Sequence, residues 1–160
     1  LADIYLFQKE YEKFEECLQT ADSGVTQLGF NELIKHRKDR MLGTVCEINN
    51  DYDDAINHYE EALHESPDWH TWEGVPKPRS VGRCYRKLKK YDKSEEQLLD
   101  VLKEDPFHPQ THYELGRLYH DMKNTKKAKE HMKIAVDIWK DADLEYAIAH
   151  KAKDIYQDWK

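Results

Sequence analysis

The stretch LGRLYHDMKNTKKAKEHMKIAVDIWK, residues 115–140, decides the fold, because two earlier stretches repeat its pattern. They are LGTVCEINNDYDDAINHYEEALHESP from Leu42 and VGRCYRKLKKYDKSEEQLLDVLKEDP from Val81. Their glycines, Gly43, Gly82 and Gly116, fix the alignment. The second spacing is 34 residues; the first is 39, the same period with five residues inserted within WHTWEGVPKP. Each copy has apolar residues at helical spacing, a turn (NND, KKYD or KNT), and a second helical run ending near Pro67, Pro106 or Lys140. A fixed period of this length with a turn in its middle describes a helical hairpin that stacks on its neighbours.

Close packing explains which residues recur. Gly43, Gly82 and Gly116 let the second helix of a hairpin approach the first, and Ala55, Ser94 and Ala128 do the same from the other side. Ala62 and Ala135 leave room for the next repeat. Large residues fill the complementary spaces, Tyr85 and Tyr119 in first helices and Tyr59, Leu98 and Met132 in second ones.

With these residues in place the chain resembles the tetratricopeptide repeat family, whose 34-residue unit carries L-G-x-x-Y and then a small residue, a large one, Ala and Pro at fixed offsets. The resemblance covers about residues 36–140 and departs from the pattern at Cys46, Val101 and Lys140. It implies an all-α fold, a right-handed superhelical solenoid of antiparallel helix pairs whose first helices line a concave surface. About three full repeats are expected, with a truncated N-terminal copy and a C-terminal capping helix. Laid out along one domain over 1–160, the expectation is a truncated repeat and connection at 1–30 and a repeat at 31–68. An insertion at 69–77, repeats at 78–107 and 108–140, and a cap at 141–160 follow. Asn31 is a candidate N-cap. Beginning at Leu1 directly in a helical run, the segment reads as a piece of a longer protein.

Composition agrees with a thin-layered α fold. Hydrophobic residues make up 39% of the 160 residues and charged ones 36%, and only six glycines and five prolines are available for turns. No run approaches the roughly 20 apolar residues of a membrane span, and no signal pattern opens the chain. Three cysteines at helical positions without CxxC spacing read as small core residues, which favours the cytoplasm. A net charge of −7 argues against non-specific nucleic-acid or membrane binding, unless the basic residues are gathered on one surface.

The arginines are gathered in this way. In such an array the stripe of each first helix that faces the groove is spaced 3, 4, 3 about the glycine. It comprises Arg37, Arg40, Thr44 and Glu47, then Pro76, Arg79, Arg83 and Arg86, then Gln110, Tyr113, Arg117 and His120. All six arginines of the chain fall on it, and none of the nineteen lysines does. Arginine's planar fork binds carboxylate or phosphate bidentately and stacks on aromatic faces. The candidate ligand groove is therefore Arg37, Arg40, Arg79, Arg83, Arg86, Tyr113, Arg117 and His120, with His120 as a pH-sensitive contact. Trp69 and Trp72 stand at a possible rim. The competing reading pairs these arginines with acids of neighbouring helices, Glu47 and Glu114 being available. The Lys and Asn clamp with which some family members grip a C-terminal carboxylate is absent.

Other constellations are weaker. His108 and His112 have i, i+4 spacing, but Pro109 separates them and no ligand set is complete, so no metal is expected. DYDD at 51–54 lacks the rest of a calcium loop and reads as a turn and cap. No phosphate-cradling loop or nucleophile context is present around Ser23, Ser66, Ser80 or Ser94, so neither catalysis nor a cofactor is expected. The sequence points to an interaction scaffold for an acidic or carboxylate-bearing peptide. Binding of another anion, such as RNA or a phosphorylated partner, and a spacer role in a larger enzyme or sensor are the alternatives.

Overall fold

A computed structural model describes residues 31–64, 78–143 and 146–159, with Lys13, Glu16, Cys17 and Thr20. The truncated N-terminal copy at 1–30 and the insertion bearing Trp69 and Trp72 lie essentially outside these residues. The described residues form seven helices and no strand: α1 (Asn31–Asn49), α2 (Tyr52–His64), α3 (Pro78–Lys87), α4 (Tyr91–Glu104), α5 (Pro109–Asp121), α6 (Thr125–Ile138) and α7 (Ala147–Asp158). None is long and apolar enough to cross a membrane. The chain divides into two compact units, Leu1–Ser80 and Val81–Lys160. The fold is all-α, of the tetratricopeptide type.

The first unit holds the hairpin of α1 and α2. Its seam is set by Gly43: a Cβ there would lie 2.7 Å from Tyr59 of α2, so only glycine accepts the ring. Ala55 and Ala62 on α2 are fully buried. Asp53 and Asp54 in the first turn of α2 complement the positive end of its dipole.

The second unit repeats the seam twice. A Cβ on Gly82 would stand 2.8 Å from Leu98, and one on Gly116 would stand 3.0 Å from the end of Met132 and 3.2 Å from its backbone nitrogen. Where the small residue is Ser94 instead of alanine, its buried hydroxyl donates to the Gly82 carbonyl at 2.7 Å. Val101 is buried at the position of Ala62 and Ala135. Two apolar clusters follow. Leu98, Leu115, Leu118, Tyr119 and Ala128 join α4, α5 and α6. Tyr113, Met132, Ala135 and Ala152 join α5, α6 and α7. Trp159, one residue beyond α7, packs against both.

The three turns are built alike. Asn50, Lys89 and Lys123 hold positive φ of 67°, 59° and 63°. The following residue donates to the carbonyl five positions back in each, Asp51 to Cys46, Lys90 to Tyr85 and Asn124 to Tyr119, at 2.8–2.9 Å. This is the Schellman closure, which satisfies carbonyls that the helix leaves open. Entry into the next helix varies. Asn124 caps α6 by accepting from the Lys127 amide, and the His108 side chain accepts from the Thr111 amide with Pro109 as the first residue of α5.

Candidate functional site

The arginine stripe divides between the two units. Arg37 lies on α1, and its side chain is outside the described residues. Arg40 and Arg79 are part-buried in the first unit, each with its Nε shielded from solvent. The stripe neighbours of Arg40 on α1 are engaged by α2, since the Tyr59 hydroxyl reaches Glu47 Oε2 at 3.0 Å and Thr44 Oγ1 at 3.3 Å.

In the second unit, Arg86 departs from its expected role. It is 6% exposed, and its guanidinium donates to Asp121 Oδ2 at 2.8 Å and to Glu114 Oε2 at 3.5 Å. Glu114 is itself 3% exposed, so the two charges compensate each other out of water. Here the internal pairing holds, and Arg86 ties α3 to α5 instead of standing ready for a ligand. Arg83, three residues earlier on the same helix, is part-buried.

Arg117 has different surroundings. Its guanidinium lies over the Tyr113 ring, 5.5 Å from the centroid, and no carboxylate among the described residues forms an ion pair with it. The Tyr113 ring below is 2% exposed and held by the second cluster. Burial pushes the Tyr113 hydroxyl above its ordinary pKa, and Arg117 opposes that shift. The guanidinium is thus supported on a fixed aromatic face, an arrangement that limits its side-chain freedom before any ligand arrives.

The segment from Trp139 to Trp159 meets the α5 stripe on both sides of Arg117. Gln110 donates to the Tyr146 hydroxyl at 2.5 Å, and the Trp139 ring stands edge-on to Tyr146 and tilted against Tyr113. One turn beyond Arg117, the exposed His120 stacks on Trp159 with ring centroids 4.6 Å apart and planes 3° from parallel. The sequence reading treated this region as a charged cap and missed its aromatic residues. The signal lay in Tyr146, Tyr156 and Trp159 recurring in an otherwise polar stretch.

The histidines once weighed as metal ligands are engaged elsewhere. His108 caps α5, whereas His112 is buried with Nε2 at 2.9 Å from the Pro106 carbonyl and Nδ1 at 2.9 Å from Nδ1 of His131. A carbonyl only accepts, so the proton of neutral His112 sits on Nε2 and His131 donates to its Nδ1. His131 also stacks on Tyr119, whose hydroxyl is bound to Glu95. Burial, followed by His112, lowers the pKa of His131 to about 4. The Tyr119 hydrogen bond is the main cause holding Glu95 below its ordinary value. Among the described residues no group of three or more metal-ligating side chains converges.

Comparison with known proteins fits this architecture. The sequence profile described as Tetratricopeptide repeat matches residues 80–108 and 109–138. The crystal structure of BtubC (BKLC) from P. vanneervenii aligns with TM-score 0.68 and 17% identity, over 98% of this chain and 72% of that one. At that identity the likeness is one of fold. No curated protein sequence matches the chain. The two adjacent matches identify residues 80–138 as tetratricopeptide repeats, a family whose general role is protein–protein interaction, and the same glycine seam recurs in α1 and α2.

Proposed function

We propose that the chain is an interaction scaffold whose arginine-bearing stripe takes an acidic or carboxylate-bearing peptide segment. The observation that carries this reading is Arg117, a cation supported on the Tyr113 ring with no acid paired to it among the described residues. A contact from such a guanidinium to a carboxylate contributes about 1.5–3 kcal/mol where water is excluded. By the register of the sequence Arg79 and Arg83 fall on the same stripe positions, while Arg86 keeps α3 and α5 together. The overall acidic charge of −7 disfavours indiscriminate anion binding, so selection rests on the local arrangement.

Titration of a fluorescein-labelled acidic peptide against the wild type and against the Arg79→Ala, Arg83→Ala, Arg117→Ala triple variant tests this. The triple variant should lose binding by at least tenfold. Salt separates the classes of anion: a peptide held by a few pairs loses little affinity between 50 and 200 mM salt, whereas a nucleic acid loses about 1000-fold or more. Unchanged peptide affinity in the triple variant, or a steep salt slope with RNA binding more tightly than the peptide, would contradict the proposal.

A further inference from the structure

The three hairpin turns share one backbone course but not one charge. At equivalent positions the first turn, 49–54, carries Asp51, Asp53 and Asp54 and no base. The second, 88–93, carries Lys89, Lys90 and Lys93 with Asp92, and the third, 122–127, carries Lys123, Lys126 and Lys127 and no acid. All of these charged residues are exposed. The reversal extends to what lies beneath. Lys93 stands over the Tyr85 ring at 5.4 Å and Lys127 over the Tyr119 ring at 4.5 Å, whereas the matching pair in the first unit is Asp54 and Cys46.

Packing places the two basic turns beside each other. Lys127 of α6 bonds to Glu95 of α4 at 3.3 Å. Tyr91 at the start of α4 and Met122 at the end of α5 lie against the same apolar cluster. One edge of the second unit therefore gathers the lysines of both turns. Lysine is a compact, hydrated point charge, so such an edge suits a salt-screened contact between exposed charges more than a bidentate grip.

The chain itself supplies a surface complementary to this edge, the first unit's turn, which has the same backbone closure and the opposite charge. A nucleic acid would reach past the edge into a chain of net charge −7, whereas a single turn covers the edge alone. We infer that the basic turn edge of the second unit docks the acidic turn of the first unit of another copy, in a salt-sensitive self-association. The two surfaces differ, so the contact is heterologous. Because the net charge repels copies at long range, association by any uncharged contact would strengthen with salt, and only complementary charges make it weaken.

Sedimentation velocity over a concentration series tests this at about 10 mM and about 150 mM salt, where the screening length falls from about 30 Å to about 8 Å. The chain should associate at the lower salt and about tenfold more weakly at the higher. An edge variant, Lys89→Glu, Lys90→Glu, Lys123→Glu and Lys126→Glu, should be monomeric, and so should a turn variant, Asp53→Lys and Asp54→Lys. Mixed together, the two should associate. A chain carrying both sets of changes should associate as the wild type does, which separates lost complementarity from misfolding. The inference is overturned if the wild type is monomeric at low salt, or if its association strengthens with salt. It is equally overturned if either variant associates as the wild type does, or if neither the mixture nor the combined variant associates. A monomeric wild type that retains a labelled oligonucleotide through the same lysines assigns the edge to nucleic acid instead.

Discussion

Gly43, Gly82 and Gly116 each face one large residue of the following helix, and the same fit recurs with Tyr59, Leu98 and Met132 as the filler. Arg86 and Arg117 share one stripe of first-helix positions, yet one is buried between two carboxylates and the other is part-buried over a tyrosine ring, with no carboxylate paired to it among the described residues. The seam tolerates different fillers because it asks only for volume opposite a missing side chain. The stripe asks for charge and direction, which depend on whatever the neighbouring helix presents. Repetition therefore builds the scaffold, and its interruption builds the candidate site.

The largest expected effect strikes the stripe where it is structural. Arg86→Ala leaves buried Glu114 without its counter-charge and should cost about 3–5 kcal/mol of stability, read by urea denaturation. Removing Glu114 as well, by Arg86→Met with Glu114→Leu, should restore most of that loss. If the single variant were as stable as the wild type, the two arginines would not differ as described.

A smaller effect is expected at the seam. Gly43→Val would drive a branched side chain into the Tyr59 ring, where even a Cβ alone stands at 2.7 Å, and should cost about 2–3 kcal/mol. Thermal unfolding by circular dichroism checks it. A neutral result would mean that the two helices can separate without loss.

A third test concerns the junction of α4, α5 and α6, where His131 meets His112 and Tyr119, with Lys127, Glu130 and Glu95 as its charged neighbours. Its folded pKa of about 4 lies below the unfolded value of about 6.5, so between these values the unfolded chain binds more protons. This contribution to stability is fully present above about pH 6.5 and declines as pH falls towards 4. Allowing for partial exposure, its size is about 1–2 kcal/mol. Denaturation midpoints at several pH values should show a shallower acid decline in His131→Leu than in the wild type. Parallel curves would contradict the burial argument.

Much of the fold was legible in the sequence because the seam is local and repetitive. Gly82 with Leu98, and Gly116 with Met132, recur at one offset, and a single chain supplies its own alignment. The site was legible only as a stripe. Nothing in the position of Arg86 distinguishes it from Arg117. The difference comes from Glu114 and Asp121, which a separate helix brings to it. Trp159 was hidden for a similar reason, since its place against His120 depends on how α7 returns onto α5. The regular turns concealed a further detail, for Lys89 and Lys123 adopt the positive φ that glycine or asparagine favours.

The most direct test sets the two arginines side by side, measuring melting temperature and affinity for the fluorescein-labelled acidic peptide in Arg117→Ala and Arg86→Ala. The account predicts that Arg117→Ala melts within about 2 °C of the wild type and binds at least tenfold more weakly, while Arg86→Ala melts far lower. It is contradicted if Arg117→Ala binds as the wild type does, or if it melts as low as Arg86→Ala.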